Sequence, residues 1–167
     1  MADFCALLVS VVQQYDSEIK MEILYSAPVQ DEEQYQKKLV KIIRQDISRG
    51  RTGYGPHRDD VVLNWSGRNI KSFGSQGEHK LCLIFLKLVE LFFIKEKTGI
   101  SPTLLLDDLF AKLDLERSKN IVHLLQELES SSGEPVQTIV TTTDLLNVEH
   151  SGLMSASPDH CTYHLER

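Results

Sequence analysis

The order of hydrophobic and polar residues in the first half of the chain predicts helices and short strands. Residues 31–49 repeat apolar side chains at helical spacing, which predicts an amphipathic helix that Gly50 ends. Turn residues fill 51–58, and Ser66-Gly67 lies between two strand-like runs, which indicates a hairpin. The other predicted elements are a helix-like stretch at 4–20, a strand at 21–25, and hairpin strands at 60–65 and 69–71.

The second half of the chain changes to a long helix followed by alternating strands and helices. Residues 76–97 are apolar on nearly all sides, which predicts a helix that other elements cover on most sides. The apolar runs at 103–106 and 136–141 are typical of strands buried on both faces of a parallel sheet. A helix at 115–130 separates them, and a polar strand is predicted at 161–165. This order predicts an α/β layer with parallel strands.

Composition and charge exclude several classes of protein. With 41% hydrophobic and 25% charged residues among 167, the chain is ordinary globular material. No apolar run reaches the roughly 18 residues of a membrane helix, so we expect no membrane partner. Cys5, Cys82 and Cys161 are odd in number and far apart, which indicates reduced, buried thiols in a cytoplasmic protein. The net charge of −6 argues against a generally DNA-coating surface but allows a local basic patch.

Two adjacent carboxylates, Asp107 and Asp108, follow the first predicted buried strand. In parallel sheets, ligands bind beyond the carboxyl ends of the strands. One carboxylate suits Mg²⁺, which takes few protein oxygens together with waters and substrate phosphates. The other can orient or deprotonate an attacking water. The alternative is that these aspartates only cap the next turn.

The long predicted helix opens with Ser75-Gln76-Gly77-Glu78. Ser-x-x-Glu is a capping box, which satisfies the first N–H groups of a helix. The same geometry, with a glycine that exposes backbone N–H groups and a serine hydroxyl, is an anion site suited to a terminal phosphate. The two interpretations are compatible, and the local pattern favours the cap.

Three further positions have both a structural and a functional interpretation. Asp114 either caps the following helix or belongs to a site. The run Thr141-Thr142-Thr143-Asp144 ends a buried strand, where its hydroxyls would touch phosphate or water, or cap a helix. Arg58, in a polar turn, either binds phosphate or is solvated and paired with a neighbouring acid.

The order of these motifs resembles the C-terminal half of an ABC-type ATPase head. Ser-Gln-Gly-Glu precedes an apolar strand that ends in Asp-Asp, Leu-Asp follows six residues later, and a second strand ends in Thr-Thr-Thr-Asp. The preceding segment Gly55-Pro56-His57-Arg58-Asp59-Asp60 narrows the resemblance to the RecF family of bacterial recombination and repair proteins. The resemblance covers about residues 25–144.

The resemblance implies a role for each matching residue. Ser75, Gln76, Gly77 and Glu78 would form the signature motif, which contacts the γ-phosphate of ATP bound to the opposite subunit. Asp107 would be the Walker B acid near Mg²⁺, Asp108 the acid that activates water, and Asp114 the D-loop acid at the dimer seam. Thr143 and Asp144 lie where many ABC ATPases have a switch histidine, so this position departs from the usual phosphate sensor. Lys112 also departs from a position that is often acidic in the family.

The Walker A loop, G-x-x-x-x-G-K-[ST], is absent from the sequence. The resemblance therefore implies an α/β fold: the C-terminal half of an ABC-type P-loop ATPase head at 53–167, with parallel strands flanked by helices. A mostly helical lobe segment with a short strand would occupy 1–52. We expect a fragment of a longer protein, which alone binds ATP weakly or not at all.

The function implied by the resemblance is that of a DNA-repair ATPase. The intact protein would bind ATP with Mg²⁺, form a homodimer around the nucleotides, engage gapped double-stranded DNA and help load RecA, with a mediator such as RecR. One alternative is a non-hydrolysing interaction module derived from an ATPase half, and another is the head of a different SMC-like ATPase. Within the sequence, phosphate contacts would be sought first at the basic residues of helix 31–49, although a solvated helix face also explains them.

Overall fold

The computed structural model describes residues 2–26, 31–131, 136–153 and 161–163. Its helices and strands form a mixed α/β arrangement, with a 3-10 turn at Pro56–Arg58. In chain order they are α1 (Ala2–Tyr15), β1 (Met21–Ser26), α2 (Glu32–Arg49), β2 (Asp60–Trp65), β3 (Arg68–Asn69), α3 (Ile70–Phe73), α4 (Gln76–Thr98), β4 (Leu104–Leu106), α5 (Leu115–Ser131), β5 (Thr138–Val140) and α6 (Leu145–Ser151).

The described strands form two sheets. β1, β2 and β3 make an antiparallel meander in which Met21 lies opposite Trp65. β4 and β5 make a parallel pair in which Leu104 lies opposite Thr138 and Leu106 opposite Val140. The connection between β4 and β5 contains α5, as a parallel pair requires. The predicted α/β order of the second half is confirmed.

The core surrounds α4, whose buried side chains meet α1 on one side and β4 on another. Phe85 is fully buried near its middle, with its ring centroid 5.1 Å from that of Tyr15 and 6.1 Å from that of Trp65. These contacts join the helix to both α1 and the meander. The other fully buried large side chains are Leu8, Val12, Leu81, Leu88, Val89, Leu109, Phe110, Ile121, Val122 and Leu124.

The three long predicted helices are confirmed, and for α2 and α4 local signals define both ends. Asp31 accepts a hydrogen bond from the Glu33 N–H at the start of α2, and Gly50 ends that helix in the left-handed conformation. Gly99 ends α4 in the same way. The bounds of α4 and α5 differ from the predicted ones by one residue each.

Two predicted strands differ from the structure. The predicted strand at 69–71 is wrong beyond Asn69, because Ile70 turns inward at the start of α3 and is buried against the core. The strand at 103–106 was expected to be buried on both faces, yet Leu105 is 66% exposed. Among the described residues, no element covers the face of β4 on which Leu105 lies, and its neighbour Ile139 on β5 is also exposed.

The amphipathic helix α2 buries none of its residues in the described structure, and its apolar Ile47 is 75% exposed. Its recorded contacts to the rest of the chain include the ring of Tyr35 against that of Tyr54, 5.3 Å apart. Cys161 is exposed rather than buried, and residues 161–163 form no strand. Residues 164 and 165 of the predicted last strand lie outside the described residues.

Within the described ranges, no helix is both long and apolar enough to cross a membrane.

Candidate functional site

Asp107 and Asp108, here called the acid pair, lie directly after β4 and beside the residue that follows β5, Thr141. The Asp108 N–H donates to Thr141 Oγ1 at 2.9 Å, and the Thr141 hydroxyl donates to the Asp107 carboxylate. Both acids are exposed. The prediction that the strand delivers two acids to its carboxyl end is confirmed, and the neighbouring parallel strand supplies their hydrogen-bonding partner.

The backbone after β4 turns sharply. Asp108 has φ 48° and Lys112 has φ 66°, a left-handed conformation that is unfavourable for residues with a Cβ. Backbone bonds hold this turn against β5: Thr141 N–H donates to Leu106 O at 2.9 Å, and Leu109 N–H donates to Thr141 O at 3.0 Å. Strain of this kind persists only where neighbouring contacts fix the backbone.

The second turn of α4 reaches the acid pair through Lys80. Its ammonium group donates to the Asp107 carbonyl at 3.1 Å. This contact joins the start of α4 to the end of β4.

The start of α4 is a complete capping box. The Ser75 hydroxyl accepts from the Glu78 N–H at 3.2 Å, and the Glu78 carboxylate accepts from the Ser75 N–H at 2.7 Å. The bond from the Ser75 backbone lowers the pKa of Glu78, with smaller contributions from the Ser75 side chain and from Arg117. The predicted cap is confirmed. Ser75 and Gln76 remain exposed. Among the described residues, the Ser75 hydroxyl has no recorded acceptor for its own proton.

Gly77 is buried, so the expectation that this glycine exposes backbone N–H groups is corrected. A Cβ on Gly77 would lie 2.3 Å from Arg117 Nη1 and 3.2 Å from the Lys112 carbonyl oxygen. Glycine is therefore needed for close approach: the segment after the acid pair and the first turn of α5 pack directly on the start of α4.

Asp114 caps α5, as the first of its two interpretations predicted. Its carboxylate accepts from the Arg117 N–H at 2.8 Å, and its other oxygen lies 3.6 Å from Arg117 Nε. Because Arg117 also lies over Gly77, one guanidinium group connects this acid with the first turn of α4.

The remaining predicted site residues lie apart from these contacts. Asp144 caps α6 by accepting from the Asn147 N–H at 3.0 Å, whereas Thr143 is exposed. Arg58 is exposed in its 3-10 turn, where its N–H donates to Gly55 O at 2.8 Å. Among the described residues, no recorded contact joins the side chain of Arg58 to the acid pair or to Ser75.

Two residues of the site were not among the predicted ones: Lys80 and Arg117. Thr141 stood in the Thr-Thr-Thr-Asp run, but the alternation of side chains at a strand end does not reveal which hydroxyl faces the neighbouring strand. Lys80 is one of the polar residues of a long helix that is apolar on nearly all sides, and helical spacing does not reveal that its ammonium group reaches the end of β4. The i,i+3 spacing of Asp114 and Arg117 was the one available signal for that pair.

The donor set of the acid pair fits a magnesium ion bound largely through water. Mg²⁺ requires one or two carboxylates, and the Thr141 hydroxyl engages only one Asp107 oxygen, Oδ1. Among the described residues, no group of three or more His, Cys, Asp or Glu side chains is arranged to hold a metal by itself. Asp107 could therefore hold the ion only together with oxygens supplied by water or phosphate.

Comparison with known proteins finds relatives that share one description. The DNA replication and repair protein RecF of Bacillus velezensis is 39% identical over 122 residues, which are 73% of this chain and 31% of the relative. RecF of Exiguobacterium sp. is 41% identical over 128 residues, 77% of this chain and 32% of the relative. The chain thus spans about a third of the length of the relatives it matches. No protein-family model matches the chain.

Solved structures agree with the sequence relatives. A structure of the recombination mediator protein RecF with ATP, in the RecFOR pathway, matches with a TM-score of 0.63 and 29% identity over 86% of this chain and 39% of that one. An Smc head bound to the C-winged helix domain of ScpA matches with a TM-score of 0.54 at 16% identity, a likeness of fold alone. The fold is that of the C-terminal part of an ABC-type ATPase head, with a parallel strand pair flanked by helices.

Proposed function

Since the chain belongs to the RecF family and matches the C-terminal part of its members, we propose that it supplies half of an ATP-hydrolysing site in a DNA-repair ATPase. In this proposal Ser75, Gln76, Gly77 and Glu78 form a signature motif that binds the γ-phosphate of ATP held by another subunit. The exposure of Ser75 and Gln76 at the capped start of α4 supports this assignment, because the positive end of a helix dipole attracts anions.

The acid pair would act on the same nucleotide. Asp107 would hold Mg²⁺ through water, and the ion would neutralise charge on the phosphates. Asp108, whose carboxylate has no recorded partner in the described part of the chain, would orient the attacking water. Asp114 would lie at the seam between subunits. The observation that carries the proposal is the direct contact between these parts: Lys80 of α4 bonds Asp107, and Gly77 packs on Lys112 and Arg117.

The partners of the whole protein are part of the same proposal. We expect it to bind gapped double-stranded DNA, to pair with a second copy when ATP is bound, and to help load RecA in the cytoplasm with a mediator such as RecR. The ATP-bound RecF neighbour in the RecFOR pathway and the names of the relatives support this expectation. The roles of Thr143, Asp144 and Arg58 remain predictions: phosphate sensing for the first two, and a phosphate contact for Arg58.

A direct binding measurement tests the half-site. In a calorimetric titration, we expect the chain alone to bind ATP weakly or not at all, because a P-loop supplies most of the nucleotide contacts in this class of ATPase. Micromolar affinity of the isolated chain for ATP would refute the half-site assignment.

A fusion tests the activity. The whole chain would be joined to the N-terminal part of RecF from Bacillus subtilis, a relative 39% identical over 122 residues. We expect this RecF fusion to hydrolyse ATP and to restore survival of a RecF-deficient strain after DNA damage. Asp108→Asn should lower hydrolysis about 100-fold or more and stabilise an ATP-bound dimer. Glu22→Gln, an exposed carboxylate of β1, serves as the matched control and should leave hydrolysis unchanged.

Each result has a definite meaning. Unchanged hydrolysis in the Asp108→Asn fusion would remove Asp108 from its role. A fusion that restores survival while its hydrolysis is lost would favour the alternative of an interaction module that does not hydrolyse ATP.

A further inference from the structure

We propose that Thr141 is the positioning residue of the acid pair, holding Asp107 and Asp108 in different conformations so that the two adjacent carboxylates take different roles. This inference rests on the proposed function, since positioning matters only if the acids act on a nucleotide. It gives Thr141 a role toward the acid pair, whereas the sequence pattern indicated only a contact to phosphate or water, or a helix cap.

The contacts of Thr141 support the inference because its N–H, carbonyl and hydroxyl groups all form hydrogen bonds with one four-residue segment, residues 106–109. Its N–H donates to Leu106 O at 2.9 Å, and its carbonyl accepts from the Leu109 N–H at 3.0 Å. Its hydroxyl accepts from the Asp108 N–H at 2.9 Å and donates to the Asp107 carboxylate. A hydroxyl has one proton to donate, so both of these side-chain bonds fix its orientation.

The consequence is an asymmetry between the two acids. Asp107 has one carboxylate oxygen bonded by Thr141, and Lys80 bonds its carbonyl. Asp108 has its N–H bonded and its backbone in the left-handed conformation, with φ 48°, while its carboxylate has no recorded partner among the described residues. Thr141 thus anchors the first acid and leaves the second exposed and available to water.

The residue type matters at this position. The hydroxyl requires threonine or serine, since valine has the same shape but can neither donate nor accept. The matched pair Thr141→Ser and Thr141→Val therefore separates hydrogen bonding from packing. Thr138 begins β5, the strand that Thr141 directly follows. Its recorded hydroxyl contact, to the Val136 carbonyl, is long at 3.5 Å, so Thr138→Val is the control.

Amide hydrogen exchange in the full chain, followed by NMR, tests whether the hydroxyl holds the turn. We expect the Asp108 amide to be protected in the wild type and in Thr141→Ser. In Thr141→Val it should exchange on the order of tenfold faster, because the hydrogen bond has no acceptor. Urea unfolding midpoints identify any variant that has lost its global fold. A protected Asp108 amide in a folded Thr141→Val chain would overturn the inference.

Hydrolysis by the RecF fusion tests whether this position matters for chemistry. Because residues that orient metal ligands typically contribute about 10–100-fold to activity, Thr141→Val should lower kcat by that factor with little change in KM. Thr141→Ser should recover most of kcat, and Thr138→Val should leave it unchanged. A serine variant as inactive as the valine variant, or a valine variant with full kcat, would overturn the positioning role.

The two experiments also separate this inference from the proposed function. If the unmodified fusion hydrolyses no ATP, the proposed function fails, and the positioning role in hydrolysis fails with it. The exchange data then still decide whether Thr141 holds the acid pair in the folded chain. If the fusion hydrolyses ATP and the Thr141 variants behave like the wild type, only the inference about Thr141 fails.

Discussion

An alanine at position 77 would place its Cβ 2.3 Å from Arg117 Nη1 and 3.2 Å from the Lys112 carbonyl oxygen. The first distance is far shorter than any van der Waals contact, so the guanidinium group of Arg117 must move. The second requires the backbone at Lys112 to shift by a few tenths of an ångström. Gly77→Ala therefore perturbs the packing between the start of α4 and the segment after the acid pair without adding a polar group.

The expected change in the free energy of unfolding combines one stabilising contribution with two destabilising ones. Alanine is favoured over glycine within a helix by about 1 kcal/mol, and overpacking of this size costs about 1–3 kcal/mol. Moving Arg117 from Asp114 adds at most about 1 kcal/mol, because the pair lies at the surface, 3.6 Å apart. We expect Gly77→Ala to destabilise the protein by about 1 kcal/mol.

The double variant isolates the cause. In an Arg117→Ala background the shorter of the two clashes is absent, so the same glycine-to-alanine change should be neutral or stabilising. The coupling energy between positions 77 and 117 should then be about 1–2 kcal/mol. Urea unfolding of the wild type, both single variants and the double variant measures it. Additivity within about 0.5 kcal/mol would refute the proposed packing.

Gly99 provides the matched control for this reasoning. It ends the same helix with φ 71°, and no atom lies within 4 Å of a Cβ built there. Gly99→Ala should destabilise by about 1 kcal/mol through backbone strain alone, and the Arg117→Ala background should leave that value unchanged.

Three further predictions concern α4. Ser75→Ala should lower the free energy of unfolding by about 0.5–2 kcal/mol in urea titrations, because it removes the cap; no change would contradict the hydrogen bonds described. The pKa of Glu78 is lowered in the folded state, so its contribution to stability is present above its ordinary value of 4.5 and is lost as the pH falls through the lower folded value. Glu78→Gln should therefore flatten the pH dependence of unfolding as the pH falls below 4.5, and an unchanged slope would contradict the assignment. Phe85→Ala should cost about 3–5 kcal/mol by opening a cavity, whereas Leu83→Ser, at a side chain 61% exposed, should cost about 0.5 kcal/mol or less; equal effects in thermal unfolding would contradict the burial pattern.

The long helices could be predicted from the sequence because their ends are fixed by neighbouring residues. Asp31 and Gly50 enclose α2, and Ser75 with Glu78 forms a cap within four positions. The placement of the acid pair after a short apolar strand was likewise local information. These signals depend on backbone hydrogen bonds between residues close in the chain, so a single sequence contains them.

The sequence by itself thus determined the long helices, the capped start of α4 and the acids at the end of β4. Only the tertiary structure decided which side chains meet them: Thr141 lies 33 residues from Asp108, and Arg117 reaches Gly77 from another helix. It also decided that Leu105 stays exposed although its run is apolar, because burial depends on what packs over a strand. The hydrophobic pattern indicates which face of an element can be buried. Which distant segments contact that face depends on how the elements pack.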